Sequence, residues 1–146
     1  LYVGGEVSQS AIVTEVRVTA HTYSTSGSGS DTIEAGGKKY FHTTAVTVKQ
    51  NPNITASTKP NVIEVKDATL VNSTNVAAVT QHVFDYYMRR QTHSVQIVMD
   101  EELPGDYVDT TTPWDDHITG TITSMTIKLS GIAAAECDIV GTGASA

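Results

Sequence analysis

Two runs of alternating apolar and polar residues constrain this chain more than any other feature. Over residues 11–23, Glu15, Arg17 and Thr19 alternate with Val16, Val18 and Ala20, a period of 2 that a half-buried strand reproduces and a helix does not. Over residues 118–130, Ile118, Gly120 and Ile122 share one face until the parity slips near Ser124, after which Met125, Ile127 and Leu129 take over. A one-residue slip of this kind predicts a bulge, which bends a strand as curled sheets and barrels require.

The remaining elements follow from local chemistry. Residues 24–31 read Ser-Thr-Ser-Gly-Ser-Gly-Ser-Asp, a flexible polar loop. It lacks the Lys-Ser/Thr ending and following helix of a phosphate loop. Short strands are expected at 32–35 and 38–42 around Gly36-Gly37, a hairpin pair, then at 44–49, 62–66 and 95–100. Two prolines make 50–60 an irregular crossing segment. Pro104-Gly105 has the residues a type II turn prefers, and Tyr107–Asp109 leads into a Thr-rich acidic loop over 110–117. Gly131 turns the chain into a last strand at 133–140, ahead of a small-residue tail over 141–146. One helix stands out, from about 75 to 90. Ser73, Thr74 and Asn75 supply cap oxygens, Val76, Val79, Val83 and Tyr86/Tyr87 recur at helical spacing, Gln81, Asp85 and Arg89 form the polar row, and Arg89 and Arg90 close the last turn. About eight strands and one helix give an α+β chain, mainly β: a bent antiparallel sheet or small β-barrel with one amphipathic helix packed on it.

Length and charge narrow the function classes. The chain has 146 residues, the size of one domain, and its start at Leu1 rather than Met gives the expectation of a fragment of a larger protein. Nine Lys plus Arg stand against sixteen Asp plus Glu, a net charge of −7. Nucleic-acid binding draws on Lys and Arg against phosphates, and anionic lipid on a polybasic patch, so neither is an expected partner. No apolar run approaches the length of a membrane helix, and no signal peptide is evident. Cys137, alone, shares parity with Ala135 and Ile139 and reads as a buried strand cysteine.

Candidate chemistry is sparse, and no cofactor is implied. Asp115-Asp116-His117 is the densest titratable cluster and carries donors a divalent cation accepts. Neighbours in a strand point to opposite faces, however, so a solvated loop is the plainer reading. His21, His42, His82, His93 and His117 are scattered, and no nucleophile elbow or metal motif accompanies them. Residues 100–102 are consecutive carboxylates, which do not face one cleft as a glycosidase pair must. The expectation is a protein that is not an enzyme. Trp114 in Pro113-Trp114-Asp115 is a ligand or interface contact, or else packs at a barrel rim. Tyr107, Tyr87 and Arg90 are the other contact candidates.

The last third of the chain carries a wider pattern. Tyr86-Tyr87 and Arg89-Arg90 close a helix, residues 95–99 form a strand, and Pro104-Gly105-Asp106-x-Val108 makes a turn. Gly120-x-Ile122-x-Ser124-Met125-x-Ile127-x-Leu129-Ser130-Gly131 precedes the strand Ala135-Glu136-Cys137-Asp138-Ile139-Val140-Gly141. Together these resemble domains of phage and prophage tail or baseplate hub proteins, over roughly residues 60–141 with support from 11–49. The resemblance implies a non-catalytic structural domain at the tail tip of a virion or tail-like particle assembled in the bacterial cytoplasm. It also implies partners among tube, spike and adjacent hub subunits, and a trimer for the full-length protein. The competing reading is a carbohydrate-binding or adhesin-like β module using Trp114, Tyr107 and Asp109. A third, a metal-assisted hydrolase, would rest on Asp115, Asp116 and His117.

Overall fold

A computed structural model describes residues 2–29, 31–98, 100–111, 117–130 and 132–141. The protein is mainly β with one helix, as the alternation predicts. Internal contacts group the chain into two compact units, Leu1–Ile12 with Met88–Ala146, and Val13–Tyr87.

The first unit is a five-stranded antiparallel sheet that curls into a half-barrel. Its strands are β1 (Tyr2–Gln9), then after the other unit β6 (Gln91–Val98), β7 (Tyr107–Thr111), β8 (His117–Ser130) and β9 (Ile132–Gly141), in the order β1-β6-β9-β8-β7. Alternation decides which face turns inward. Ala135, Cys137 and Ile139 of β9 are buried with Val95 and Ile97 of β6 and Ile118 and Ile122 of β8, and Val108 and Met125 pack against them. The expected bulge is present: the β8–β9 register shifts between Ile122 and Ser124. It lets Met125 follow Ile122 onto the core side, where it pairs with Cys137. The turn before β7 closes with the Asp106 amide donating to the Leu103 carbonyl at 3.1 Å. β6 starts at Gln91, earlier than the apolar residues announce, because β1, a strand without clear alternation, pairs with it from Gln9↔Gln91 onward. β9 also runs one residue beyond expectation, Gly141 pairing with Gln91. The rest of the expected tail lies outside the described residues.

The second unit carries β2 (Glu15–Ser24), β3 (Asp31–Ala35), β4 (Lys38–Gln50) and β5 (Val62–Val65) in the order β3-β4-β2-β5. The expected break between strands at 42 and 44 is absent, and β4 is one continuous strand. The Gly36-Gly37 turn has φ of 59° and 72°, the left-handed pair that a tight hairpin needs. β5 lies parallel to β2, the one parallel pair among the described strands. A parallel neighbour needs a crossover, and the proline-bearing segment after β4 supplies it. That segment is tied down by buried polar groups. Asn51 Nδ2 donates to the Val13 carbonyl at 2.9 Å. Thr14 Oγ1 donates to the Asn61 carbonyl and accepts from the Asn61 amide, both at 2.9 Å.

Helix α1 spans Val76–Met88. Its N-terminus is capped one residue before the expected Ser73: Asn72 Oδ1 accepts from the Thr74 and Asn75 amides, and Asn75 Oδ1 accepts from the Asn72 amide at 2.8 Å. This is the reciprocal arrangement of a capping box. Thr80 and Phe84 are its buried residues, Thr80 Oγ1 returning to the Val76 carbonyl at 2.7 Å. Lys49 of β4 lies 4.9 Å from the Phe84 ring centroid and is bonded to Gln81, so the helix covers that face of the sheet. Gln81 Nε2 also donates to Asp85 Oδ1 at 2.6 Å, as the polar row predicts. The helix ends before Arg89 and Arg90, two residues short of expectation, because residue 90 is already engaged with the end of β1: the Ser10 amide donates to the Arg90 carbonyl at 2.9 Å.

Two measurements test this packing. A Cβ on Gly120 would sit 2.5 Å from the Val140 carbonyl oxygen, so Gly120→Ala should lower stability by about 1–3 kcal/mol in urea unfolding. His93 shares the parity of Val95 and Ile97, and its Nδ1 is buried without a hydrogen-bond partner; burial pushes its imidazole below the ordinary value. The unfolded chain then takes up the proton first. Stability is fully present above the unfolded value of about 6.5 and is lost as pH falls from there toward the folded value. Wild type should be less stable at pH 5.5 than at 7.5, and His93→Gln should shrink that difference.

Candidate functional site

The half-barrel sheet presents two features with functional potential. The first is the outward parity of its strands. Ser94 and Gln96 of β6, Ser124 and Thr126 of β8, and Glu136 and Asp138 of β9 alternate with the core residues, and together with Gly4 and Glu6 of β1 they line a groove of about 370 Å³. At its centre Asp138 accepts from Ser94 Oγ at 2.6 Å and from Ser124 Oγ at 2.7 Å. These two hydroxyls hold the Asp138 carboxyl below the usual carboxylate range, because they stabilise its charged form. Glu136 is paired with Lys128. Cys137, between these acids in sequence, points the other way; burial raises its thiol pKa, which leaves it a structural thiol.

The second feature is the far end of β8. Strand β7 accompanies β8 only from His117 to Thr121, and Ile122 is bonded to the turn before β7, to the Gly105 amide at 2.8 Å and the Asp106 carbonyl at 2.9 Å. Beyond Ile122, β8 has β9 as its one strand partner among the described residues. Its inner-parity side chains emerge from the core there: Ile127 is 51% and Leu129 85% exposed. The sequence predicts that these residues share a face, but not that the face loses its cover.

The contact candidates named from sequence do not form one site. Tyr107 is 74% exposed on the edge strand β7, opposite Thr121. Arg90 is a strap: its Nε and Nη2 donate to the Ser10 carbonyl at 3.2 and 3.1 Å, at the end of β1. Tyr87 belongs to the other unit, half-buried on α1 with its ring edge-on to Tyr86 at 5.2 Å. Trp114 lies outside the described residues, as do Asp115 and Asp116. His117 Nδ1 is 2.8 Å from Asp109 Oδ1, both exposed. Among the described residues no three His, Cys, Asp or Glu side chains converge as a metal site requires. In the second unit His21 is buried, with Nε2 2.7 Å from the Lys66 carbonyl and Nδ1 2.9 Å from His42 Nε2. The carbonyl makes Nε2 the donor, so this pair fixes the end of β5 against β2. No described helix is long and apolar enough to cross a membrane.

Comparisons with protein-family models, with curated proteins and with solved structures find no match to this chain. The functional reading therefore rests on the residues themselves.

The Ser94–Asp138–Ser124 clamp makes a checkable statement about the groove. Carboxyl NMR titration should give Asp138 a pKa below the ordinary value of about 3.9, and Ser94→Ala with Ser124→Ala should return it toward that value. The stabilisation from this clamp is present above the unfolded pKa and is lost as pH falls through the folded one.

Proposed function

We propose that this chain is a structural, non-catalytic domain of a phage or prophage tail or baseplate hub protein that mediates subunit assembly at the tail tip. The observation that carries this reading is the uncovered end of β8. Beyond Ile122 the bulge-bent β8 has no second strand partner among the described residues, and Ile127 and Leu129 are exposed there, the surface of a protein whose strands are completed by neighbours. The low share of charged residues, 17%, suits a surface covered by other subunits. The motif resemblance over residues 60–141 supplies the class of neighbour: tube, spike and adjacent hub subunits, with a trimer as the full-length assembly. A net charge of −7 suits a wall that nucleic acid passes without adhering.

A second reading, a carbohydrate-binding or adhesin-like module, is favoured by the polar groove, whose hydroxyl, amide and carboxylate groups match sugar hydroxyls, and by the exposure of Tyr107. One set of experiments separates the two. Antibody against this chain should label the tail tip of particles from the producing strain in electron micrographs, and the protein should co-purify with tail components. Particles without label, together with glycan binding that Gln96→Ala and Tyr107→Ala weaken, would replace the tail-tip reading with the second.

A further inference from the structure

We propose that the free edge of β8 is a homotypic interface, on which residues 124–130 pair antiparallel with the same edge of a second copy of this chain. A strand edge is a row of directional amide donors and carbonyl acceptors, and another extended backbone matches that spacing. Along this edge one face offers Met125, Ile127 and Leu129, and the other Ser124, Thr126 and Lys128.

The usual protections of an edge are missing from this run. It contains no proline or acidic residue, its bulge lies before Ser124, and Lys128 is paired with Glu136 of its own β9. Several other edges are shielded, whereas β4 beyond His42 also lacks a second strand partner among the described residues, with Val46 and Val48 exposed. β1 carries Glu6 and a register shift between Tyr2 and Gly4, and β3 carries Asp31 and Glu34. β5 is four residues long, with Glu64 bonded to Lys66 at 2.7 Å.

Charge and register name the occupant. A chain of net charge −7 repels copies of itself, yet between Thr123 and Ala135 the one ionisable residue is Lys128. Two copies therefore meet along this edge without carboxylate repulsion, a property it shares with the acid-free β4, and the match of faces in register distinguishes it. With Ile127 on a two-fold axis, Ile127 faces Ile127 of the second copy, Met125 faces Leu129, and Lys128 faces Thr126. Every apolar side chain then meets an apolar one, and no like charges are opposed. Centring on Thr126 instead sets Leu129 against Thr123, and shifting by one residue sets apolar against polar faces. A two-fold contact of this kind is self-complementary. Seven paired residues make a small interface, so the association is weak and concentration-dependent. The proposal uses the same edge as the tail-tip reading but does not require that role.

Sedimentation velocity over rising concentration should show a monomer–dimer equilibrium for the wild-type chain. Ile127→Lys, which places two lysines on the axis, should weaken it by roughly tenfold or more. Because Ile127 is half exposed, circular dichroism should be unchanged. Ile127→Cys should cross-link to itself under mild oxidation, since the native Cys137 is buried. A wild-type chain that stays monomeric up to its solubility limit would overturn the proposal, as would a dimer indifferent to Ile127→Lys. So would cross-linking of Ile127→Cys to Val46→Cys on β4 in preference to itself. A trimer that ignores Ile127→Lys would overturn this interface while leaving the tail-tip reading intact.

Discussion

The stripe of Ala135, Cys137 and Ile139 along β9 is the constraint on which the half-barrel depends. β9 is the central strand, paired on one side with β6 and on the other with β8, so both neighbours must present apolar residues in phase with it. β6 does so by regular alternation through Val95 and Ile97. β8 does so only because a register shift between Ile122 and Ser124 brings Met125 opposite Cys137. Were the same residues paired without that shift, Thr126 and Lys128 would turn into the core and Ile127 out of it. The same irregularity that preserves the core gives β8 its bend, while β7, which begins at Tyr107, accompanies β8 only as far as Thr121.

The second unit is held by different means. Its sheet buries Val16, Val18 and Ala20 of β2, but the parallel docking of β5 has no hairpin to fix it. Register there is set by buried polar groups: Asn51 bonding the Val13 carbonyl, Thr14 engaging Asn61 from both sides, and His21 bonding the Lys66 carbonyl. Each of these groups, once buried, must have its partner, and each has one partner position that satisfies it. Hydrophobic burial selects the faces of this sheet, and hydrogen-bond satisfaction selects which segment lies beside which.

Function follows from how each sheet uses its two sides. Inward-facing residues of the half-barrel are spent on packing, Cys137 included, which leaves chemistry to outward-facing residues and edges. In the outward groove the two central carboxylates have partners within the fold, Asp138 two serine hydroxyls and Glu136 the Lys128 ammonium. The edge of β8 differs in kind: its hydrogen-bonding capacity and its exposed Ile127 and Leu129 have no counterpart within the described chain. That imbalance is the observation on which the proposed assembly role rests.

Much of this was legible from residue order. Alternation located β2, β8 and β9 and the bulge; Gly36-Gly37 and Pro104-Gly105 located their turns; helical spacing located α1. β1 was not legible, because Gly4 and Gly5 dilute its pattern, and it becomes a strand only by completing β6. The cap at Asn72 was misplaced by one residue among four consecutive capping residue types, a choice made by backbone geometry. Contact candidates chosen by residue type fared differently: Arg90 is consumed in bonding Ser10, while Tyr107 stands exposed on an edge strand. The sequence by itself determined which residues face inward, since a period of 2 admits one apolar face per strand. Only the tertiary structure decided which strands are neighbours, where a parallel partner enters, and where β7 stops accompanying β8. Those choices depend on contacts between residues far apart in the chain, and local periodicity carries no record of them.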